Sequence, residues 1–230
     1  MSDPLAVSEN SAFASADATL RITEIFFSLQ GETRTVGLPT VFIRLTGCPL
    51  RCVYCDTAYA FSGGEIMALG QILVQVASYQ PRYVTVTGGE PLAQPNCLAL
   101  LSRLCEAGYE VSLETSGALS VAGVDSQVVK VLDLKTPASG EMHRNDYNNI
   151  PLLQAHDQVK FVIADREDYN WACFKLNEYA LAERVSDVLF SPSHHTLSGR
   201  QLAEWILADR LPVRMQLQLH KYLWNDEPGH

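Results

Sequence analysis

Gly47-Cys48-Pro49-Leu50-Arg51-Cys52-Val53-Tyr54-Cys55-Asp56-Thr57 is the stretch on which the fold and chemistry of this chain turn. It follows an apolar run, Val41-Phe42-Ile43-Arg44-Leu45, that reads as a buried strand. Cys48, Cys52 and Cys55 make a C-x3-C-x2-C spacing. Three thiolates on one loop can hold three irons of a 4Fe–4S cluster and leave the fourth iron open to an outside ligand. Ordinary ferredoxin-type clusters take four cysteines instead. A structural zinc site usually closes with four ligands. The histidine nearest in sequence is His143, so zinc would have to recruit a distant fourth ligand; that reading stays open as a non-enzymatic zinc-binding module. A disulfide is disfavoured, because closely spaced cysteines in a chain without an export signal are more often metal-binding or catalytic.

Outward from this loop, short apolar runs alternate with helix-length amphipathic segments. Strands are expected over 22–27, 41–45, 83–87, 110–114, 129–134, 159–163, 187–190 and 213–218. Most are rich in Val, Ile, Leu or Phe, as in strands buried on both faces. Helices are expected over 67–79, 95–107, 169–183 and 199–208. Such alternation predicts an α/β fold with a parallel sheet and right-handed crossovers. The elements are too few for an eight-fold barrel, and the 114–129 connection is too short for a full helix. An incomplete, open (β/α) barrel is the expectation, with ligands at the carboxyl ends of its strands.

The chemistry-bearing motifs fall at those ends. Thr87-Gly88-Gly89-Glu90-Pro91 closes one strand. Its glycines permit close backbone approach and positive φ, and its carbonyls with Glu90 suit a ligand ammonium; a plain turn is the bland alternative. Asp133-Leu134-Lys135 ends another strand, with Asp133 and Lys135 on one face, where a simple ion pair is the bland alternative. Glu114-Thr115-Ser116-Gly117 offers Ser116, and Ser191-Pro192-Ser193-His194 follows the strand at 187–190. His194-His195 reads as solvated loop rather than a metal pair.

The chain has 230 residues, 47% hydrophobic and 19% charged, an ordinary globular balance. One domain over 19–230 is expected, preceded by a disordered leader over 1–18 rich in Ser, Ala and Asp. The net charge of −9 argues against nucleic-acid binding, which needs basic surface. No apolar run approaches the roughly 18–20 residues that span a bilayer, so no membrane partner is expected. Cys97, Cys105 and Cys173 are scattered and read as small core residues.

The cysteine loop resembles the signature of the radical S-adenosylmethionine (SAM) superfamily, with the aromatic Tyr54 before the last cysteine. Further pieces narrow the likeness: Leu29-Gln30-Gly31-Glu32, Phe42-Ile43-Arg44-Leu45, Cys55-Asp56-Thr57 and Gln218-Leu219-His220-Lys221-Tyr222-Leu223-Trp224. Over 20–224 the chain resembles the 7-carboxy-7-deazaguanine synthase family. One departure is Thr33, where the family commonly has Gly after Leu-Gln-Gly-Glu; it bears on the conformation of the 33–38 loop.

The resemblance implies a lyase of queuosine and 7-deazapurine biosynthesis with a radical SAM-type fold. It would convert 6-carboxy-5,6,7,8-tetrahydropterin to 7-carboxy-7-deazaguanine with release of ammonia. It implies a 4Fe–4S cluster on Cys48, Cys52 and Cys55, SAM, and Mg2+ on Thr57. SAM would lie against Tyr54, Cys55, Asp56, Gly88, Gly89, Glu90, Ser116, Asp133, Leu134, Lys135, Ser191, Pro192, Ser193 and His194. Substrate would meet Leu29, Gln30, Gly31, Arg44, Thr87, His220 and Lys221. A flavodoxin-like one-electron donor, a homodimer and a cytoplasmic location are implied too. A glycyl-radical enzyme activase is the second enzyme reading, and the Leu-Gln-Gly-Glu run, Thr57 and the His-Lys-Tyr-Leu end speak against it.

Overall fold

A computed structural model describes residues 18–225, 227 and 229; the expected leader lies outside them except for Ala18. Among the described residues nine strands form one sheet: β1 Thr19–Leu29, β2 Pro39–Leu45, β3 Glu65–Ala68, β4 Tyr83–Gly88, β5 Glu110–Thr115, β6 Val129–Asp133, β7 Gln158–Ile163, β8 Asp187–Pro192 and β9 Arg214–Met215. The helices are α1 Leu69–Ser78, α2 Cys97–Glu106, α3 Arg166–Glu178, α4 Leu181–Arg184, α5 Gly199–Asp209 and α6 Leu219–Trp224. The order β3-β1-β2-β4-β5-β6-β7-β8-β9 leaves the sheet open, since β3 and β9 end it without meeting. From β2 to β9 every neighbouring pair is parallel.

Three features depart from the expected plan. β1 runs antiparallel to β2 and to β3, so the sheet is mostly rather than wholly parallel. The 30–38 connection carries no helix and is too short for a parallel crossover, which takes a dozen or more residues. β3 was hidden because its four residues run straight into α1. β9 holds only Arg214–Met215 of the expected 213–218, since the chain then leaves the sheet and turns into α6. The β5–β6 connection lacks a helix, as its length required. The β6–β7 connection is a run of short 3-10 turns at Pro137–Ser139, Met142–Arg144 and Tyr147–Leu152.

Along β2 and β4 to β8 successive side chains alternate between the two faces, and this fixes where ligands can go. Ile43, Leu45, Val84, Val86 and Leu113 pack under α1 and α2 on Ile72, Val76, Leu100 and Leu104. Leu132, Phe161, Ile163 and Phe190 pack under α3 and α5 on Tyr169, Ala172, Leu176 and Leu202. The intervening positions face the other way, and many are polar: Arg44 pairs in register with Thr87, and Asp133 with Lys160. Strands that read as apolar on both faces thus carry a polar inner face at their carboxyl ends.

At those ends β2 and β4 touch backbone to backbone. A Cβ on Gly88 would lie 2.5 Å from the Leu45 carbonyl oxygen. A Cβ on Gly89 would lie 2.4 Å from the Gly47 oxygen and 2.7 Å from the Cys48 Cβ. Neither glycine is among those with positive φ, so both are required by proximity, not by a left-handed turn. Gly89→Ala is expected to push the cysteine loop off the sheet and destabilise the protein by about 1–3 kcal/mol, the range for overpacking. Urea unfolding of the metal-free protein checks this; an unshifted midpoint would show that the loop moves away without penalty.

Candidate active site

The cysteine loop is braced from three sides. The Gly47 N–H donates to the Ala60 carbonyl (2.8 Å), and the Glu90 N–H donates to the Gly47 carbonyl (2.8 Å). The Val53 N–H donates to the Ser139 carbonyl (3.0 Å), and the Arg51 N–H to the Glu141 carboxylate (2.6 Å). Within the loop the Arg51 guanidinium donates to the Cys48 carbonyl (2.7 Å) and the Leu50 carbonyl (2.6 Å), and stacks 4.2 Å from the Phe61 ring centroid. Leu50 is buried beneath as the loop's apolar anchor.

Cys48, Cys52 and Cys55 are free thiols, each partly exposed. Burial pushes the Cys48 thiol up, and Glu90 and Cys55 add to this. Burial pushes Cys52 up to about 11 against the pull of Lys135, with Asp133, Cys55 and Cys48 adding. The three cysteines lie within eight residues on this one loop. Among the described residues no three His, Cys, Asp or Glu side chains close around a single metal ion. A cluster asks for something else, one thiolate per corner iron, and three free, partly exposed thiols on one braced loop fit that demand.

Beside the loop, the carboxyl ends of β6, β8 and β9 carry buried oxygens without a hydrogen-bond partner among the described residues: Asp133 Oδ1, Ser191 Oγ and Gln216 Oε1. Buried polar groups are normally satisfied, so these are open to a ligand with N–H or O–H donors. Asp133 uses its other oxygen on Lys135 Nζ (2.8 Å). Tyr54 lies over this region, its hydroxyl 3.4 Å from Thr136 Oγ1, and burial pushes its pKa up to about 12. Pro192 closes β8. The Ser193 N–H holds the Ile163 carbonyl (2.8 Å), and the His194 and His195 rings lie 3.7 Å apart.

Two expected ligand residues differ in the structure. Leu134 is fully buried in the helix-side core, so only its backbone can face a ligand. Glu90 is also fully buried. Its carboxylate accepts from Leu92 N (3.0 Å), Thr115 Oγ1 (3.0 Å), Ser116 N (2.7 Å) and Ser116 Oγ (2.5 Å). A carboxylate taken from water needs such donors; Glu90 spends them tying β4 to β5 rather than on a ligand ammonium.

The pocket wall across the sheet gathers the remaining residues. Arg44 is held through Nε by Glu24 Oε1 (2.6 Å), which also accepts from the Tyr59 hydroxyl (2.8 Å). Thr87 Oγ1 donates to Glu114 (3.0 Å). Leu29 ends β1. Gln30 is buried and built into the wall, donating to Thr85 Oγ1 (3.2 Å) and accepting from Glu32 N (3.1 Å). Gly31 carries the His220 ring: a Cβ there would lie 2.0 Å from Nδ1. Burial pushes His220 below the usual histidine range. Thr57 Oγ1 donates to Asp56 Oδ1 (2.8 Å), and Lys221 Nζ pairs with Asp56 Oδ2 (3.0 Å). Lys221, expected at the substrate, is tied to the end of the cysteine loop through Asp56.

Sequence reasoning missed Glu24, Glu32, Glu114, Lys160 and Gln218. Glu32 pairs with Lys160 and accepts from Gln218 Nε2 (2.8 Å). Burial alone would raise Glu32; Lys160 and Gln218 bring it below the usual carboxylate range. Burial opposes the Lys160 ammonium, yet Glu32, Asp133 and Glu114 hold its pKa above the usual range. Glu114 is pushed up by burial and by Glu32. Lone charges inside apolar strands, Glu114 in Glu110–Thr115 and Lys160 in Gln158–Ile163, were the available signal.

Comparison with known proteins agrees with this architecture. Residues 42–134 match the model of the Radical SAM superfamily. The 7-carboxy-7-deazaguanine synthase of Koribacter versatilis is 43% identical over 222 residues, covering 90% of this chain and 98% of that protein. The 7-carboxy-7-deazaguanine synthase of Chlorobaculum tepidum is 44% identical over 216 residues, covering 93% and 98%. The crystal structure of QueE from Escherichia coli superposes with a TM-score of 0.72 at 22% identity, over 88% of this chain and 95% of that one, and shares the fold. With an open, mostly parallel sheet, a three-cysteine loop at its carboxyl edge and relatives of this closeness along nearly its full length, the chain belongs to the 7-carboxy-7-deazaguanine synthase family of radical SAM enzymes.

Proposed function

We propose that this chain converts 6-carboxy-5,6,7,8-tetrahydropterin to 7-carboxy-7-deazaguanine with release of ammonia. The observation that carries the reading is the near full-length likeness to synthases of that product. The inner face of the sheet supports it, because its charges suit a carboxylated, amine-rich heterocycle. When bound, the 4Fe–4S cluster and SAM supply hydrogen-atom abstraction, chemistry no side chain provides.

The chain's own residues do the rest. Cys48, Cys52 and Cys55 would hold the cluster. The unpartnered oxygens of Asp133 and Ser191, with Tyr54, would receive SAM; the carbonyls at Gly88 and Gly89 would take its ammonium, while Glu90 fixes Ser116. Arg44 uses only Nε on Glu24 among the described residues, and its remaining fork suits the substrate carboxylate. Buried Glu114 and Glu32 are acceptors for pterin N–H groups, and the raised pKa of Glu114 suits a group that holds a proton. The Thr57 hydroxyl, a hard oxygen, would hold Mg2+.

An external one-electron donor of flavodoxin type, a homodimer and a cytoplasmic location complete the reading. In support, no helix among the described residues is long and apolar enough to cross a membrane.

Anaerobically reconstituted protein is expected to form 7-carboxy-7-deazaguanine with SAM, a reductant and the carboxypterin, faster with Mg2+. A preparation with its full iron and sulfide content that yields no product would defeat the assignment. Arg44→Met is expected to raise KM about 10- to 100-fold, the worth of a charge-assisted hydrogen bond, and to leave SAM affinity unchanged. An unchanged KM would place the carboxylate elsewhere.

A further inference from the structure

The segment after β9 returns across the sheet edge and straps the pocket wall to the cysteine loop. The Leu219 N–H donates to the Gly31 carbonyl (2.9 Å), with the His220 ring seated on Gly31. The Gln218 side-chain amide bridges two carboxylates, Glu32 Oε1 at 2.8 Å and Asp56 Oδ2 at 3.3 Å. Lys221 Nζ reaches Asp56 Oδ2 at 3.0 Å, and Thr57 Oγ1 gives its proton to Asp56 Oδ1 at 2.8 Å. Polar contacts thus run from Lys160 through Glu32 and Gln218 to Asp56, and end on Thr57.

The Asp56–Lys221 pair is unlike a surface salt bridge. The Lys221 side chain is 9% exposed, and that of Asp56 47%. An exposed pair contributes little to stability because solvent screens it, whereas an ammonium drawn under the surface loses hydration for one partner. The return lies in orientation. With its proton on Asp56, the Thr57 oxygen presents its lone pairs away from that carboxylate. With Lys221 on Asp56, the carboxylate is charge-balanced and does not compete for a cation that the hydroxyl would take.

We propose that Lys221 is a positioning residue that acts through Asp56 to orient the Thr57 hydroxyl, and that Gln218 couples this arrangement to Glu32 in the pocket wall. The strap is then what sets the oxygen ligand at the end of the cysteine loop. The inference deepens the function proposed above and rests on it for its kinetic arm, while a second arm stands without substrate or metal.

The test compares wild type with Lys221→Met and Lys221→Arg as full-length, cluster-reconstituted proteins. Lys221→Met is expected to raise both the Mg2+ concentration for half-maximal rate and the KM about tenfold, with kcat changed less than about threefold. Lys221→Arg should recover most of the loss. Iron content and SAM affinity should match wild type. Without substrate or Mg2+, amide exchange in peptides covering 29–33 and 52–58 should quicken about fivefold in Lys221→Met, with 83–88 unchanged.

Wild-type Mg2+ response and KM in Lys221→Met, a loss confined to kcat or to iron content, or no recovery in Lys221→Arg would each overturn the positioning role. If wild type forms no deazaguanine, the function proposed above fails. Unchanged exchange at 52–58 would then overturn the strap independently, and quickened exchange would support it.

Discussion

A buried carboxylate holds this molecule's site together. Glu90 sits at the end of β4 with no exposure, and four protein donors from three residues surround it. Such a charge, taken out of water, is tolerated only when its lone pairs are filled, and charge-assisted hydrogen bonds are correspondingly strong. Its side chain locks the carboxyl ends of β4 and β5, and its own N–H fixes Gly47 at the mouth of the cysteine loop. Everything that must lie near the loop is placed relative to this clamp. The close approach at Gly88 and Gly89 is its steric counterpart, since no side chain fits between the two backbones.

The sheet divides its labour by face. The helix-covered face is apolar in two clusters, one under α1 and α2 and one under α3 and α5. The other face presents Arg44, Thr87, Glu114, Asp133, Lys160 and Ser191, drawn from six strands. Their charges are balanced locally, Arg44 by Glu24 and Lys160 by Glu32. Buried charge is tolerated under such pairing, and on the same face Asp133 Oδ1 and Ser191 Oγ have no hydrogen-bond partner among the described residues.

Most of this plan was legible in the residues. Short runs rich in Val, Ile, Leu or Phe placed eight of the strands, and the spacing of Cys48, Cys52 and Cys55 located the chemistry at one strand end. The antiparallel β1 was missed because the strand–helix alternation of the later chain was extended to it, although the short 30–38 connection rules out a parallel crossover there. The six-residue α6 lay below the length at which helical periodicity speaks. The partners of the Glu90 carboxylate, Leu92, Thr115 and Ser116, were not legible, since a motif gives residue types and not which partner each meets. The tie from Lys221 to Asp56 was not legible for a related reason: the two are 165 positions apart, a distance that no local pattern spans.

That separation bears on how the enzyme is made. Gln218 leaves the ribosome 186 residues after Glu32, the side chain it fastens. The first βα units have local partners and can consolidate early, but the wall at Gly31 and Glu32 must wait for nearly all the rest of the polypeptide. Contacts of such long range form late, after loop-closure entropy has been met elsewhere. A chain that ends before Gln218 therefore carries the three thiols without the contacts that Gln218 and Leu219 make to Glu32 and Gly31.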